Sequence, residues 1–485
     1  MKKLAEIIRK SSELTIVGDE QVEIRDFCLD SRQAIEGSLF VAKKGLLYDG
    51  HLFIISAIAN GAQCILCEYM PEEFSHGVCY VITAKLNLVL SELLNEFYEY
   101  PSNEIILIGI TGTNGKTTTA SLLFEMFESL GYKCGLISTV QNRIHEVTYE
   151  STHTTPDIVS LYKMIYQMKI QGCSHVFMEV SSHAIDQERI LGLNYTGGVF
   201  TNITHDHLDY HHTFKNYINA KKKFFDILSK DAFALFNMDD VNGAIMVQNT
   251  LARKLSYGIL NMADYKAKIL DNNLYGLQLK INQHEIHTRL IGEFNAYNLL
   301  AVYAVADQLG IHIDEILLQL STLHSVEGRF DWIQNGSNKK IGIVDYAHTP
   351  DALEKILQTL RKIKSPKQSI ITVVGCGGNR DKSKRPKMAV IAVELSEKVI
   401  FTADNPRDED PEEIIKEMEA GVVNLNSHKH ISITDREQAI KTACLLSNFS
   451  DIILVAGKGH EKYQEIKGKK FPFDDKEKLK TFLLN

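Results

Sequence analysis

Long apolar runs are missing from this chain. No stretch of about 18 consecutive apolar residues occurs, so a membrane-spanning helix is not expected. Met1-Lys2-Lys3 is basic, but no apolar segment follows it, so a secretory signal is not expected either. Positive charge is also not in excess. There are 53 Lys and Arg against 61 Asp and Glu, a formal net charge of −8, which argues against a generic nucleic-acid or anionic-membrane surface. No nucleic-acid partner is therefore expected. Cysteine is sparse, eight scattered through 485 residues, which suits a reducing cytoplasm. Cys64-x-x-Cys67 is the single close pair, and without a second pair the segment AQCILCEY reads better as a buried strand than as a zinc or redox site. Repeats and low-complexity segments are absent.

What is present is the composition of an ordinary soluble protein, 44% hydrophobic and 24% charged, in a chain long enough for about three domains at roughly 150 residues each. The stretch around which it is organised is Glu104 to Thr119, EIILIGITGTNGKTTT. The apolar run Ile105 to Ile110 predicts a buried strand. It empties into Gly112-Thr113-Asn114-Gly115-Lys116-Thr117, and a helical pattern follows from Thr118 to Leu130. Strand, Gly-rich turn and a Lys-Thr pair opening a helix form a phosphate-binding loop. Glycines let successive N–H groups point into one concavity, and the helix N-terminus adds partial positive charge. Lys116 supplies a full charge for β/γ-phosphates, and the Thr117 hydroxyl can ligate Mg²⁺. A strict Walker A motif would have Gly where this chain has Ile110.

The chain divides into three expected domains of α/β class. Residues 1–98 contain a short helix from Leu4 to Lys10, strands at Glu23–Leu29 and Gly37–Ala42, and a helical pattern from Asn87 to Tyr98. Asp30-Ser31-Arg32 and Asp49-Gly50-His51 read there as turn residues. Tyr100-Pro101-Ser102 is a natural boundary. In residues 99–328, strands at Glu104–Ile110, Cys134–Thr139, His175–Val180, Gly198–Ile203 and Phe233–Asn237 alternate with helical patterns, which argues a mostly parallel sheet. Leu274 to Ile291 reads as an added hairpin. Residues 329–485 alternate again in a Rossmann-like pattern, with strands at Ile341–Asp345, Ser369–Gly375, Lys398–Ala403, Ile431–Thr434 and Asp451–Ala456. Ligands of such sheets sit at the C-terminal ends of the strands.

The informative residues fall at those ends. Glu179 and His207 stand there as candidate metal ligands beside the phosphate-loop Thr117; Mg²⁺ prefers carboxylates, waters and phosphates, so Glu179 is the natural ligand and His207 the less usual one. The cluster Lys221-Lys222-Lys223 reads as a solvated helix face, and residue type alone does not choose among the three. Gly292-Glu293-Phe294-Asn295-Ala296-Tyr297-Asn298 opens a helix whose Asn side chains either cap it or read an adenine edge. In the last domain four loops carry both charge signs: Asp345 to Pro350, Gly375 to Lys382, Asp404-Asn405-Pro406-Arg407 and Gly457-Lys458-Gly459-His460-Glu461. That composition suits a zwitterion, with Arg on a carboxylate and Asp or Glu on an ammonium.

Taken together, TGTNGKTTT, HTTPD, MEVSSHAIDQER, TNITHDHLDYH, GEFNAYN, DYAHTPD, GCGGNRDKSKRP, DNPRDEDP and GKGHEKYQ resemble the Mur ligase family. The resemblance covers nearly the whole chain, and Ile110 is that family's form of the loop. It implies a UDP-binding domain, a central ATPase and a C-terminal amino-acid domain. It also implies an ATP-dependent ligation through an acyl phosphate that adds meso-2,6-diaminopimelate to UDP-N-acetylmuramoyl-L-alanyl-D-glutamate in peptidoglycan synthesis. The lysine-adding form of the same ligase is the nearest rival, and a non-catalytic nucleotide-binding protein is the rival from another class. The resemblance implies ATP contacts at Gly112, Thr113, Asn114, Gly115, Lys116, Thr117, Thr118, Asn298 and Arg329, with His348 near the phosphates. It assigns Mg²⁺ to Thr117, Glu179, His207 and a carbamylated Lys221. Ser31, Thr154, Thr155, Ser181, Gln187 and Arg189 are implied for the UDP-muramoyl peptide. Arg380, Asp404, Asn405, Arg407, Gly457 and Glu461 are implied for diaminopimelate. A cytoplasmic monomer is expected.

Overall fold

The computed structural model describes every residue except Ser12, Leu46, Leu47, Thr152, Asn338, Asn424, Asn426 and Asn485. The class is α/β. The chain forms two compact units, each assembled from separated segments. The first comprises Met1–Gly109, Gly131–Gly198 and Asp226–Phe233; the second comprises Ile110–Leu130, Val199–Phe225 and Ala234–Asn485.

In the first unit a five-stranded sheet runs in the order Thr15–Val17, Cys79–Ile82, Ala62–Cys67, Ser38–Ala42, Asp26–Cys28. Its first junction is antiparallel and the other three are parallel. The expected strand Glu23–Leu29 is in fact two. Glu23–Ile24 pairs with Lys2–Lys3, whereas Asp26–Cys28 pairs with Ser38–Phe40. The chain changes partner at Arg25, whose N–H bonds to the Gly37 carbonyl. Cys64 and Cys67 are buried within their strand; all eight cysteines are free. The same unit carries the segment order Val147–Tyr149, Asn142–Ile144, Cys134–Ile137, His175–Glu179, in which only the last pair is parallel.

In the second unit, the helix Lys116–Ser129 packs on the helix Glu293–Gln308. The latter is apolar nearly all round, with Leu299 to Ala306 buried, as a helix enclosed on every side must be. The expected hairpin is a three-stranded meander, Tyr265–Asn273, Gly276–Ile281 and His284–Thr288. The C-terminal sheet has the order Asp331–Gln334, Ile341–Asp345, Ile452–Ala456, Ile370–Val374, Lys398–Phe401, His430–Ser432. All its junctions are parallel except the first.

Continuous apolar strands such as IITVV and IILVA are what a sheet covered on both faces needs. One apolar core gathers the strands with the helices Pro350–Ile363, Lys384–Leu395 and Pro411–Glu419; a second gathers them with Arg436–Leu446 and Asp475–Leu484. The strand Ile452–Ala456, last in sequence, lies between the first two parallel strands. Loops after Asp345, Val374, Phe401 and Ala456 therefore leave from the same edge, where open α/β sheets bind ligands. A polar hairpin, Tyr463–Ile466 with Lys469–Pro472, follows. Among the described residues no helix is long and apolar enough to cross a membrane.

Candidate active site

The strand Ile106–Thr111 ends where the Gly-rich loop begins, and the helix starts at Lys116. Gly112 has φ +153°, and a Cβ there would stand 1.9 Å from the Thr201 hydroxyl, so no side chain fits. The loop is tied down by its neighbour. Thr113 N–H donates to the Asn202 carbonyl at 2.7 Å and Asn114 N–H to the Asn202 side-chain oxygen at 3.0 Å. Thr201 Oγ1 in turn donates to the Asn114 carbonyl at 2.6 Å. The Asn114 amide reaches Asp351 Oδ2 at 3.0 Å, in the first turn of the helix Pro350–Ile363, which Thr349 caps. Lys116 Nζ folds back on the Gly112 and Thr113 carbonyls at 2.9 and 2.8 Å. Thr118 lies in the first helical turn. Asn298 is buried and shares its side-chain oxygen with Thr119.

The lysine cluster is resolved by burial. On the helix Phe214–Asp226, Lys221 is 1% exposed, whereas Lys223 faces solvent. The solvated-face reading therefore fails for Lys221. Its Nζ donates to the Gly112 carbonyl at 2.8 Å and lies 4.7 Å from the ring centre of Tyr217. Burial, and then the Lys116 charge, drives the Lys221 ammonium well below its usual pKa. His207 has φ +53° and its backbone N–H bonds to Asp206. Burial lowers its imidazole to about 4, overriding the Asp206 charge, so the ring is neutral near pH 7 with a lone pair to offer. His348 is lowered by burial and by Lys384, and its Nδ1 meets the Tyr346 carbonyl at 2.8 Å. Arg329 donates to the Thr117 hydroxyl at 3.1 Å while its guanidinium lies 4.6 Å above the Tyr346 ring. This unit thus brings together Thr117, His207, Lys116 and Lys221 around the Gly-rich loop. Glu179 belongs to the other unit, where Thr139 N–H and Oγ1 donate to its two oxygens at 2.7 and 3.1 Å. Among the described residues, no group of three or more His, Cys, Asp or Glu is arranged to hold a metal.

At the C-terminal sheet edge, Asp404, Asn405 and Lys458 are buried and Glu461 is partly so. Gly457 has φ +120°, and a Cβ there would come within 2.4 Å of Asp404 Oδ2, so no side chain fits between them. Burial would raise Asp404, but Lys458, Arg436 and the Asn405 N–H hold it below its ordinary value. Burial raises Glu461 against the pull of Lys458. Arg407 sits at φ +52°, fixed by the polar hairpin: its N–H bonds to the Glu465 carbonyl, and its own carbonyl accepts Lys467 N–H. Its Nη1 donates to the Gly378 carbonyl at 2.7 Å, and its Nε lies 3.3 Å from Glu465 Oε2. Arg380 is exposed on the facing loop. That loop is locked to the Arg407 loop by Arg385, fully buried, which reaches Glu409 with both Nη atoms at 2.9 and 3.0 Å.

In the first unit, Thr155 Oγ1 donates to the Glu179 carbonyl and accepts Ser181 N–H. Arg189 donates to the Thr155 carbonyl and, twice, to Gln187 Oε1. Thr154 accepts from Thr139. Thr154, Thr155, Ser181, Gln187 and Arg189, the five residues expected to meet the muramoyl peptide, therefore lie in one cluster. Ser31 stands outside this hydrogen-bonded group, buried in a short 3₁₀ turn with its carbonyl bonded by Asn60.

Several residues of these sites were not singled out from sequence. Tyr217 shares a helix face with Lys221, four positions on, and that spacing was available as a signal. Asp351, Arg385 and Glu409 lie within quoted motifs without being singled out, and Arg436 and Glu465 lie outside them; each matters through a partner distant in the chain.

Residues 110–306 match the Mur ligase middle domain and residues 328–459 the Mur ligase glutamate ligase domain. Over 481 residues, spanning 99% of both chains, the protein is 50% identical to the UDP-N-acetylmuramoyl-L-alanyl-D-glutamate–2,6-diaminopimelate ligase of Cytophaga hutchinsonii. The chain belongs to the Mur ligase family. This Mur ligase is also 41% identical to the Bacillus licheniformis protein of the same name, over 96% of each chain. A solved structure bearing that name superposes with a TM-score of 0.70 at 31% identity, covering 99% of this Mur ligase and 98% of that chain. The Thermotoga maritima MurF ligase in complex with ADP shares the fold, at a TM-score of 0.64 and 19% identity over 95% and 97% of the two chains.

Proposed function

We propose that this Mur ligase is the ATP-dependent enzyme that adds meso-2,6-diaminopimelate to UDP-N-acetylmuramoyl-L-alanyl-D-glutamate, acting as a monomer in the cytoplasm. The observation that supports the choice of amino acid is the composition of the C-terminal sheet edge, whose loops carry Arg380 and Arg407 together with Asp404 and Glu461. One end of diaminopimelate presents a carboxylate and an ammonium, and lysine lacks that distal carboxylate. The domain limits 1–98, 99–328 and 329–485 belong to the same proposal, for the UDP group, ATP and the amino acid.

A carboxylate is a poor acyl donor until one oxygen becomes part of a phosphate leaving group. The γ-phosphoryl of ATP passes to the D-Glu carboxylate, giving an acyl phosphate and ADP. The incoming amine then attacks the acyl carbon, phosphate departs, and the amine loses a proton. Catalysis is positioning plus neutralisation of phosphate charge. The loop N–H groups and Lys116 supply that neutralisation, Asn298 and Arg329 hold the nucleotide, and His348 stands near the phosphates. Thr117 and His207 would help hold a Mg²⁺ ion there, which would supply Lewis-acid neutralisation of phosphate charge.

The donor set fits such an ion on one condition. Thr117 offers a hydroxyl and His207 a neutral imidazole, but a second ammonium beside Lys116 would repel a dication. The depressed Lys221 amine is a good nucleophile for carbon dioxide, and a carbamate would replace the repelling charge with an anionic oxygen ligand. We therefore assign Lys221 that modification, Glu179 a place among the metal ligands, Ser31 a contact to the UDP group, and Thr154, Thr155, Ser181, Gln187 and Arg189 contacts to the muramoyl peptide.

The test is phosphate release from ATP with purified enzyme. Release that depends on both the UDP-muramoyl dipeptide and meso-diaminopimelate supports the reading. Equal turnover with lysine points to the lysine-adding form, and release without any amino acid to neither.

A further inference from the structure

Lys458 follows the strand Ile452–Ala456 at the edge that carries the amino-acid loops, and it is 0% exposed. Its Nζ donates to Asn405 Oδ1 at 3.0 Å and to Glu461 Oε2 at 3.1 Å, and it lies 5.6 Å from the ring centre of Tyr463. The other cation pulling on Asp404 is Arg436, and it is committed elsewhere. Its guanidinium makes two 2.7 Å bonds to Asp475 and also reaches the Ala403 and Ala456 carbonyls. Lys458 is thus the buried charge directed at the pocket's own acids.

An ammonium only donates, so the amide atom facing it must be oxygen. Asn405 Oδ1 accepts Lys458 and the Glu465 N–H at 2.9 Å, and its Nδ2 is thereby turned to Glu461 Oε2 at 2.7 Å. The lysine and amide bonds to Glu461 both end on Oε2, which leaves Oε1 to meet a substrate. We infer that Lys458, without touching substrate itself, is the positioning residue that sets this pocket's preference for an ammonium-bearing end, by holding the Glu461 carboxylate and the Asn405 amide in one arrangement. The inference rests on the reading of this edge as the amino-acid pocket.

Asp404 and Glu461 are neighbouring carboxylates, and losing the Lys458 charge beside them favours the protonated form of Glu461, which burial already raises. Removing Lys458 therefore also moves the pH response. Glu461 faces Lys458, Asn405 and Asp404, with Arg436 behind Asp404 and the Arg407–Glu465 pair on the adjoining loop. With the lysine gone, Glu461 takes up its proton at higher pH, and an ammonium ligand is lost there first.

The experiment uses full-length enzyme with ATP, Mg²⁺ and the UDP-muramoyl dipeptide saturating while meso-diaminopimelate is varied. Lys458→Met is expected to raise KM for diaminopimelate about tenfold or more, with KM for ATP changed less than about twofold. The acid limb of kcat/KM for diaminopimelate is expected to move to higher pH. Glu461→Gln combined with Lys458→Met is expected to be no worse than Glu461→Gln alone, because coupled residues are non-additive. Thermal melts and binding of a fluorescent ATP analogue report folding; if the Met variant does not fold, Lys458→Gln, which keeps a donor toward Asn405, takes its place. Equal rises in both KM values, an unmoved pH profile or strict additivity would overturn the inference. A wild type whose phosphate release needs no amino acid would instead remove the pocket itself, and the inference with it.

Discussion

Lys116 and Lys221 donate to the same atom, the Gly112 carbonyl oxygen, at 2.9 and 2.8 Å. One lysine opens a helix directly after the loop, and the other arrives from a helix some hundred positions later. Burial first, and then repulsion between two ammonium groups gathered on one carbonyl, lowers the pKa of Lys221, the more buried of the two. The arrangement sets the Lys116 cation beside a buried amine whose pKa is driven down.

Lys116→Ala is expected to leave the fold intact and to lower kcat by about 100- to 1,000-fold, the usual effect of losing one preorganised electrostatic contact to the transition state. Circular dichroism and turnover measured on the same sample check this. Near-normal turnover of a folded variant would remove Lys116 from the reaction.

Lys221→Ala is expected to abolish ligation and to be partly rescued by short-chain carboxylic acids, which can stand in for a carbamate. Density for a bare ammonium at Lys221, in a crystal of the ATP complex grown with bicarbonate, would contradict the modification.

Arg407→Ala is expected to lose most of the discrimination between meso-diaminopimelate and lysine. A partly desolvated charge left without its partner costs about 2–5 kcal/mol, roughly 30- to 3,000-fold in preference. The ratio of kcat/KM values for the two amino acids, on wild type and variant, reads this directly. A variant that keeps full discrimination would show that Arg407 does not set specificity.

Glu409→Gln is expected to lower Tm near neutral pH, by an amount that shrinks as the solution is acidified. The Arg385 guanidinium holds the Glu409 carboxyl down at about 2 against an ordinary 4.5. A depressed carboxylate contributes stability above its unfolded pKa and loses it as pH falls through the folded one. The Tm difference between wild type and variant should therefore be full above about pH 4.5 and vanish near about pH 2. A difference independent of pH would show that the pair acts through packing.

What was readable in the sequence was local. The run from Ile105 to Leu130 declares strand, loop and helix because each is specified by its own neighbours: apolar residues, glycines, then helix formers. The strand-end loops of the last domain were readable for the same reason, since alternating strands and helices put Asp345, Gly375, Asp404 and Gly457 at corresponding ends. Residue type alone did not separate Lys221 from Lys222 and Lys223; the family resemblance picked it out, and the folded helix shows that it is the one buried. The hairpin Tyr463–Pro472 was invisible to apolar periodicity, being polar on both strands. Its one local mark was Lys467-Gly468, both at positive φ, a turn pair of the kind hairpins use. Yet that hairpin fixes the backbone of Arg407. Lys458 stood in view within a motif, but its role depends on Asn405, which lies 53 positions earlier.

The discontinuous make-up of the two units bears on how the protein is born. The helix Lys116–Ser129 belongs to the second unit, yet it is synthesised between two segments of the first. Its packing partner, Glu293–Gln308, leaves the ribosome only after the last segment of the first unit, Asp226–Phe233, has been made. During that interval the face of this largely buried helix that packs on Glu293–Gln308 has no partner helix to cover it. Apolar surface exposed in this way is what chaperones bind and what aggregates when they are scarce. A nascent chain arrested before residue 293 is therefore expected to be held by chaperones, and one arrested after the end of the C-terminal sheet to be released.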